Sequence, residues 1–192
     1  NLLGNLKAME VVGRGLTGIA GSSLGIAILI AWPFAGFIQG ITGFGVPVAA
    51  AVPLLLLAGV TPVRAVTAAL VGHSWAVTFG SLGSSYYTIE LASGIPGDVI
   101  GPHMAILFTL PIITSGLAVA HILNGRAGIR EAAPLVLIVG AVMSFLVWVT
   151  AELGAPQIAS VTSGLGGCAA TWLLLKRQKT DPRPKTYPKE NS

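Results

Sequence analysis

A long uncharged run constrains this chain more than any other feature. From Gly15 to Val63 the sequence contains no Asp, Glu, Lys or Arg, and its middle holds the glycine-rich segment Gly40–Pro47. An apolar stretch of about 20 residues crosses a bilayer once, so this run can cross twice or enter and turn back. Glycine and proline at that depth free backbone groups that lipid cannot satisfy, so such breaks need surrounding protein or a water-filled cavity. We therefore expect a membrane protein with a functional site near the break.

Composition excludes most other classes of protein. Hydrophobic residues make up 53% of the chain and charged residues 9%, whereas a soluble domain carries about 25% charged residues. The net charge of +4 arises in the tail after Leu175, so a membrane-side signal is favoured and nucleic-acid binding is not expected. The single cysteine, Cys168, excludes an internal disulfide and a zinc site. No phosphate-binding loop or nucleophile elbow is present, so we expect neither an enzyme nor a metal or other cofactor.

The charge-free stretches predict an all-α polytopic membrane protein of about six transmembrane or half-membrane helices. These cover residues 22–39, 46–58, 63–82, 104–123, 132–151 and 158–175. The second is too short for a full crossing, which favours a half-helix or a re-entrant segment. Three regions follow from this pattern. They are an amphipathic or polar N-terminal segment (1–21), a transmembrane helical domain (22–177) and a disordered basic tail (178–192).

Basic residues near span ends predict the orientation in the membrane, because Lys and Arg favour the cytoplasmic side. Arg64, the pair Arg126 and Arg130, and the cluster after Leu175 are therefore expected inside. Residues 83–103 contain acidic but no Lys or Arg side chains, which places them outside. The chain is thus expected to be a multi-pass protein of the cell membrane with a cytoplasmic C-terminus. The rule leaves open whether residues 22–58 cross twice or form a re-entrant hairpin.

The glycine break provides the first candidate binding residues. Gly40, Gly43 and Gly45 can adopt positive φ angles and bring bare backbone to a ligand. Pro47 suits the first turn of a helix that starts at Val46, and the positive end of that helix would favour a carboxylate. A close-packed kink without a ligand is the alternative interpretation.

Polar side chains near the break extend this candidate substrate site. Gln39 and Thr42 flank the glycines and can hydrogen-bond both a hydroxyl and a carboxylate, although helix–helix hydrogen bonding also explains them. Phe44 lies within the break. His73, beside Ser74, falls midway along a predicted span, where ionisable side chains mark ion pathways and proton relays. We predict that these residues bind a small organic anion and that His73 couples the proton; a neutral histidine bonded to a backbone carbonyl is the alternative.

Three blocks of sequence resemble the L-lactate permease family of bacterial transporters. They are residues 36–48, which hold a GFG-x-P signature, residues 71–80, and residues 124–131. The resemblance covers roughly residues 25–177. It implies uptake of lactate, and in relatives of glycolate, by proton symport through the cytoplasmic membrane. Family members are much longer, so the chain is similar to an N-terminal half or a fragment, and its expected partner is the missing half or a second copy.

The chain departs from the family pattern at three places. Gln39 stands where the family commonly has a glutamate, His73 where an asparagine is expected, and residues 155–157 where acidic residues are often seen. Losing the glutamate removes a proton acceptor, which His73 replaces in our hypothesis. Two alternatives stay open: an organosulfonate or sulfite exporter, which has a similar glycine-rich motif, and a non-transporting membrane half-protein that needs a partner.

Overall fold

The chain is described here from a computed structural model that covers residues 23–43 and 45–177. All of its regular elements are helices, which confirms the all-α prediction. They are α1 (Ser23–Ile41), α2 (Val46–Leu57), α3 (Pro62–Gly72), α4 (Ser84–Ser93), α5 and α6 (the two parts of Gly97–Glu152) and α7 (Ala159–Arg177). The predicted N-terminal segment and basic tail lie outside the described residues.

Four helical stretches, two of them interrupted by turns, are long and apolar enough to cross a membrane, which confirms the prediction of a polytopic membrane protein. They are Ser23–Ile41, Pro62–Ser93, Gly97–Glu152 and Pro156–Arg177. The 12 residues of α2 extend only about 18 Å, which makes it the short helix that the sequence predicts. On α5, Ile106, Leu107 and Leu110 are between 60% and 71% exposed, as expected of side chains that face lipid.

The 56-residue stretch Gly97–Glu152 is a hairpin of two helices rather than one rod. Its helical path is interrupted at Asn124 and Gly125, where Gly125 has φ 60° and ψ −151°. This conformation is essentially restricted to glycine because a side chain would clash there. The hairpin gives α5 (97–123) and α6 (126–152), which agree with the two spans predicted from the sequence, although α5 starts seven residues before Met104.

Contacts between glycines and apolar side chains show that α5 and α6 run antiparallel. A Cβ atom on Gly116 would lie 2.8 Å from Val136, and one on Gly140 would lie 3.0 Å from Ile113. Positions before and after the turn therefore pair symmetrically about it. The two helix backbones approach this closely only because both positions lack a side chain.

The predicted span over residues 63–82 is wrong in its second half. Helix α3 ends at Gly72, and the chain continues through short 3₁₀ turns at residues 74–76 and 81–83. Gly72 packs on the main chain of α1, where a Cβ would lie 2.7 Å from the carbonyl carbon of Ala31. Ser81 and Leu82 both have positive φ angles, 50° and 55°, which end any regular helix. We call residues 73–83 the crossing segment.

Helix α1 packs antiparallel against α7 through small residues. A Cβ on Gly164 would lie 2.6 Å from the backbone of Phe37, and one on Gly40 would lie 2.8 Å from the backbone nitrogen of Val161. The small residues of α7 therefore allow close helix packing.

The two ends of the bundle carry opposite types of charge. Arg64 donates a 3.5 Å hydrogen bond to the carbonyl of Leu123, which places the start of α3 beside the α5–α6 turn with its two arginines. Gly25 of α1 packs on Leu175, next to the basic end of α7. At the opposite end, Tyr87 donates to Gln157, near Glu152. The basic loops therefore share one side and the acidic loops the other.

Candidate functional site

The backbone is interrupted at the predicted glycine break. Helix α1 ends at Ile41, Thr42 is extended with φ −108° and ψ 180°, and Gly45 has φ 93°. Helix α2 then begins at Val46, with Pro47 in its first turn. The first turn of α2 therefore presents backbone N–H groups that the helix itself leaves unpaired.

Hydroxyl groups satisfy the carbonyls that the breaks release. The Thr42 carbonyl accepts a 2.8 Å hydrogen bond from Ser81 in the crossing segment. The Thr42 hydroxyl donates at 2.7 Å to the carbonyl of Ile38, which also accepts the Thr42 N–H. Ser160 at the start of α7 donates to the carbonyl of Ala76 at 3.0 Å. The sequence did not predict the hydrogen bonds of Ser81 and Ser160, because their partners are 39 and 84 residues away along the chain.

One side of the break is open in the part of the chain that the structure describes. A Cβ on Gly43 or Gly45 would find no atom within 4 Å, and the side chains of Ile41 and Val46 are 49% and 46% exposed. The sequence led us to expect surrounding protein, and the described residues supply it around residues 39–42 but not around these glycines. Phe44 lies outside the described residues.

The opposite side of the break is closed around Gln39. This side chain is fully buried, and among the described residues neither its amide oxygen nor its amide nitrogen has a hydrogen-bond partner. A Cβ on Gly80 of the crossing segment would lie 3.0 Å from the Cγ atom of Gln39, and the adjacent Gly40 packs on α7. Gln39 therefore lies where α1, the crossing segment and α7 meet.

An unpaired buried carboxamide is costly, so its presence needs an explanation. Leaving a buried donor or acceptor unsatisfied costs about 1–3 kcal/mol. The helix–helix hydrogen bond that was the alternative role for Gln39 is not made among the described residues. The carboxamide can donate through Nε2 and accept through Oε1, which suits a ligand with both kinds of group.

His73 occupies a second buried position. It caps the end of α3, is 8% exposed, and its Nδ1 lies 2.6 Å from the carbonyl oxygen of Ala69. Because a carbonyl only accepts, Nδ1 carries the hydrogen and Nε2 is the nitrogen left to take a proton. The neighbouring Ser74 is exposed, and its hydroxyl donates to Val71 at 2.7 Å.

The structure does not bring His73 and Gln39 to one point. The crossing segment runs along α1, with Gly72 against Ala31 and Gly80 against Gln39. The eight residues that separate these two α1 positions span about 12 Å. The predicted residues thus form two centres along one seam, one around Gln39 and one around His73.

The chemistry available at these centres is binding and proton transfer. Across residues 23–43 and 45–177, no three His, Cys, Asp or Glu side chains are placed to hold a metal ion. Gln39 offers hydrogen bonds and His73 offers one titratable nitrogen. This combination suits recognition of a small polar molecule inside a membrane protein.

Comparison with known proteins gives a consistent result. The family model for L-lactate permease matches residues 4–191. The chain is 29% identical to the L-lactate permease of Bacillus subtilis over 83% of its own length and 28% of that protein's. It is 26% identical to both the L-lactate permease and the glycolate permease GlcA of Escherichia coli K12, over 78% of its own length and 27% of theirs. No solved structure matches the chain.

The match to the family extends over nearly the whole sequence, while the chain spans only about 28% of the length of the curated relatives it resembles. The broken helix pair, the buried polar centres and the apolar spans are consistent with a membrane transport protein. The chain belongs to the L-lactate permease family.

Proposed function

We propose that this chain is the part of a secondary transporter that binds a small 2-hydroxy monocarboxylate, lactate or glycolate, and moves it with a proton across the cell membrane. The relatives named lactate permease and glycolate permease support the substrate class. The observation that carries the proposal is the fully buried, unpartnered carboxamide of Gln39 between two interrupted helices. Discontinuous helices are the usual place of substrate sites in transporters.

The substrate matches the hydrogen-bonding groups at Gln39. Its carboxylate only accepts hydrogen bonds, which suits Nε2, and its hydroxyl can donate to Oε1. The backbone amides of Gly43, Gly45 and Val46 line the open side of the break, where the positive end of α2 attracts the anion on its way in. Gly40 and Thr42 position this end of α1 by their contacts with α7 and Ser81.

Proton coupling lowers the free-energy cost of moving an anion through this site. From residue 23 to residue 89, Arg64 and His73 are the only acidic or basic side chains in the sequence, and Arg64 lies at the basic end of the bundle. None of the described Lys or Arg residues lies beside Gln39 to neutralise a carboxylate there, and an unpaired charge in a low-dielectric interior is expensive. A proton taken up at Nε2 of His73 makes the loaded state neutral, with Ser74 next to it.

The same charges orient the protein in the membrane. We place the basic end, with Arg64, Arg126 and the end of α7, on the cytoplasmic side, which makes the C-terminus cytoplasmic. The remainder of the transporter, either further sequence or a second chain, covers the open side of the break.

The test is uptake of labelled L-lactate into proteoliposomes that contain the protein as its own gene encodes it. A proton gradient directed inward should drive accumulation of lactate in the wild type. His73→Gln should abolish accumulation driven by the gradient but keep exchange of internal for external lactate, because binding at Gln39 is intact.

His103→Gln is the matched control, because His103 makes the same kind of bond, from Nδ1 to the carbonyl of Val99, but is exposed at the acidic end. It should behave as the wild type. Gradient-driven accumulation by His73→Gln equal to that of the wild type would remove His73 from the proton path. A wild type that transports sulfite and not lactate would reject the proposed substrate.

A further inference from the structure

A second buried donor without a partner lies in the crossing segment. The indole of Trp75, in the 3₁₀ turn 74–76, is 2% exposed, and its Nε1 has no hydrogen-bond partner among the described residues. Buried tryptophans normally find a partner for this N–H group. Like the Gln39 carboxamide, the Trp75 indole is therefore a buried polar group whose missing partner needs an explanation.

Both unpaired groups lie in the seam between α1 and the crossing segment. Nε1 of Trp75 is 2.9 Å from the position that a Cβ on Gly36 would occupy. Gly36 is three residues before Gln39, which puts both on one face of α1. The crossing segment continues along this face until Gly80 packs on Gln39. Gln39 on α1 and Trp75 beside the preceding turn of α1 are thus both buried polar groups that bind nothing among the described residues.

We propose that Trp75 is a substrate-binding residue that acts together with Gln39. The Trp75 N–H donates to one carboxylate oxygen, Gln39 Nε2 donates to the other, and Gln39 Oε1 accepts from the 2-hydroxyl group. This inference rests on the proposed function and names the second side chain of its binding site. The set consists of two donors and one acceptor, which matches the polar groups of a 2-hydroxy monocarboxylate.

The substrate enters when the crossing segment moves away from α1. The indole lies directly on Gly36, so the seam is closed in the structure described. The crossing segment is held at two points by single hydroxyl bonds, from Ser160 to Ala76 and from Ser81 to Thr42. Its 81–82 backbone has positive φ at two residues that are not glycine, a conformation that costs about 1–2 kcal/mol for each residue. Such a segment can exchange its contacts with α1 for contacts with a ligand.

Trp75→Phe tests the proposal because it removes the N–H group and keeps an aromatic ring. The measurements are the Kd for L-lactate by titration calorimetry and the Tm without and with lactate, on the whole purified protein. Trp75→Phe should weaken lactate binding by about tenfold or more, the value of one hydrogen bond to a charged group, and reduce the lactate-induced rise in Tm. The Tm without lactate should fall by no more than that of Trp32→Phe, because both variants lose the same ring volume and neither loses a hydrogen bond.

Trp32→Phe is the matched control. Trp32 is also fully buried, and its Nε1 has no partner within residues 23–43 and 45–177, but its ring lies against Gly116 of α5, away from the seam. This variant should keep the wild-type Kd. If Trp75→Phe fails to fold, ¹⁹F NMR of wild-type protein labelled with 5-fluorotryptophan replaces it. Lactate must then shift the Trp75 resonance and leave that of Trp32 in place.

Two results would overturn the inference and leave the proposed function intact: a Trp75→Phe variant with unchanged Kd, or a Trp75 resonance that lactate does not move. A Tm without lactate clearly below that of Trp32→Phe, combined with an unchanged Kd, would show that the indole N–H has a structural partner instead. Absence of any lactate or glycolate binding by the wild type would reject the proposed function, and the inference with it.

Discussion

At the scale of single residues, Gln39 shows a conflict between stability and function. Its carboxamide is fully buried and has no partner in the described part of the chain, although an apolar side chain of similar size would cost less at this position. Proteins keep such destabilising groups where a ligand needs them.

Replacing Gln39 should separate these two roles. Gln39→Leu should keep or raise the Tm of the protein without ligand, since the unsatisfied amide is removed. It should also abolish the preference for lactate over propionate, which lacks the hydroxyl group. In the wild type this preference should be about tenfold or more, because propionate leaves Oε1 unpaired. The measurement is inhibition of labelled lactate uptake by unlabelled propionate.

Thr67→Ala serves as the control for this experiment, because Thr67 is exposed and its hydroxyl bonds only within its own helix. A wild-type protein that binds lactate and propionate equally would show that Gln39 does not recognise the 2-hydroxyl group of lactate.

At the scale of elements, glycine positions decide where the helices stop and turn. Gly72 allows α3 to end on the backbone of α1, and Gly125 forms the turn between α5 and α6. Both define the relative positions of helices that would otherwise continue as long apolar rods. The seam that holds Gln39 depends on the first of these stops.

Gly125→Ala should destabilise the protein by about 1–3 kcal/mol, because alanine cannot adopt the φ and ψ angles of this position without strain. The expected observation is a lower Tm in detergent solution. Gly43→Ala is the control, since Gly43 lacks a positive φ angle and a Cβ there meets no atom within 4 Å. Equal Tm values for both variants would contradict the hairpin geometry.

Periodicity and charge predicted the existence of the helices better than their ends. The glycine break and the short α2 follow from local sequence, because Gly45 and Pro47 act on their own backbone. The stop at Gly72 depends on Ala31, which is 41 residues earlier in the chain, and the Ser81 hydrogen bond depends on Thr42. Contacts of this kind are set by packing between elements, so no pattern within residues 63–82 revealed them.

At the scale of the whole molecule, the open side of the break is the most informative surface. Interrupted backbone is not stable against lipid, so water or further protein must cover the region from Gly43 to Val46. The curated relatives are more than three times as long as the stretch that this chain matches, which leaves ample protein to enclose it. We expect a water-filled path there that leads to Gln39.

Cysteine labelling tests whether this surface lines an aqueous path. In a Cys168→Ala background, Val46→Cys should react with a water-soluble maleimide, and L-lactate should slow the reaction. Leu107→Cys, on the 71% exposed lipid-facing side of α5, should not react. Labelling of Leu107→Cys but not of Val46→Cys would show that this side of α5 faces water and that Val46 does not, which contradicts our assignment.

The substrate site itself is best examined by electron cryomicroscopy of the whole protein with lactate bound. The measured quantity is the distance from Gln39 Nε2 to the nearest carboxylate oxygen of lactate. We expect about 2.7–3.2 Å, the range of a direct hydrogen bond. Lactate density elsewhere in the protein, with the Gln39 carboxamide bonded to protein groups alone, would contradict a binding site at the meeting point of the two broken helices.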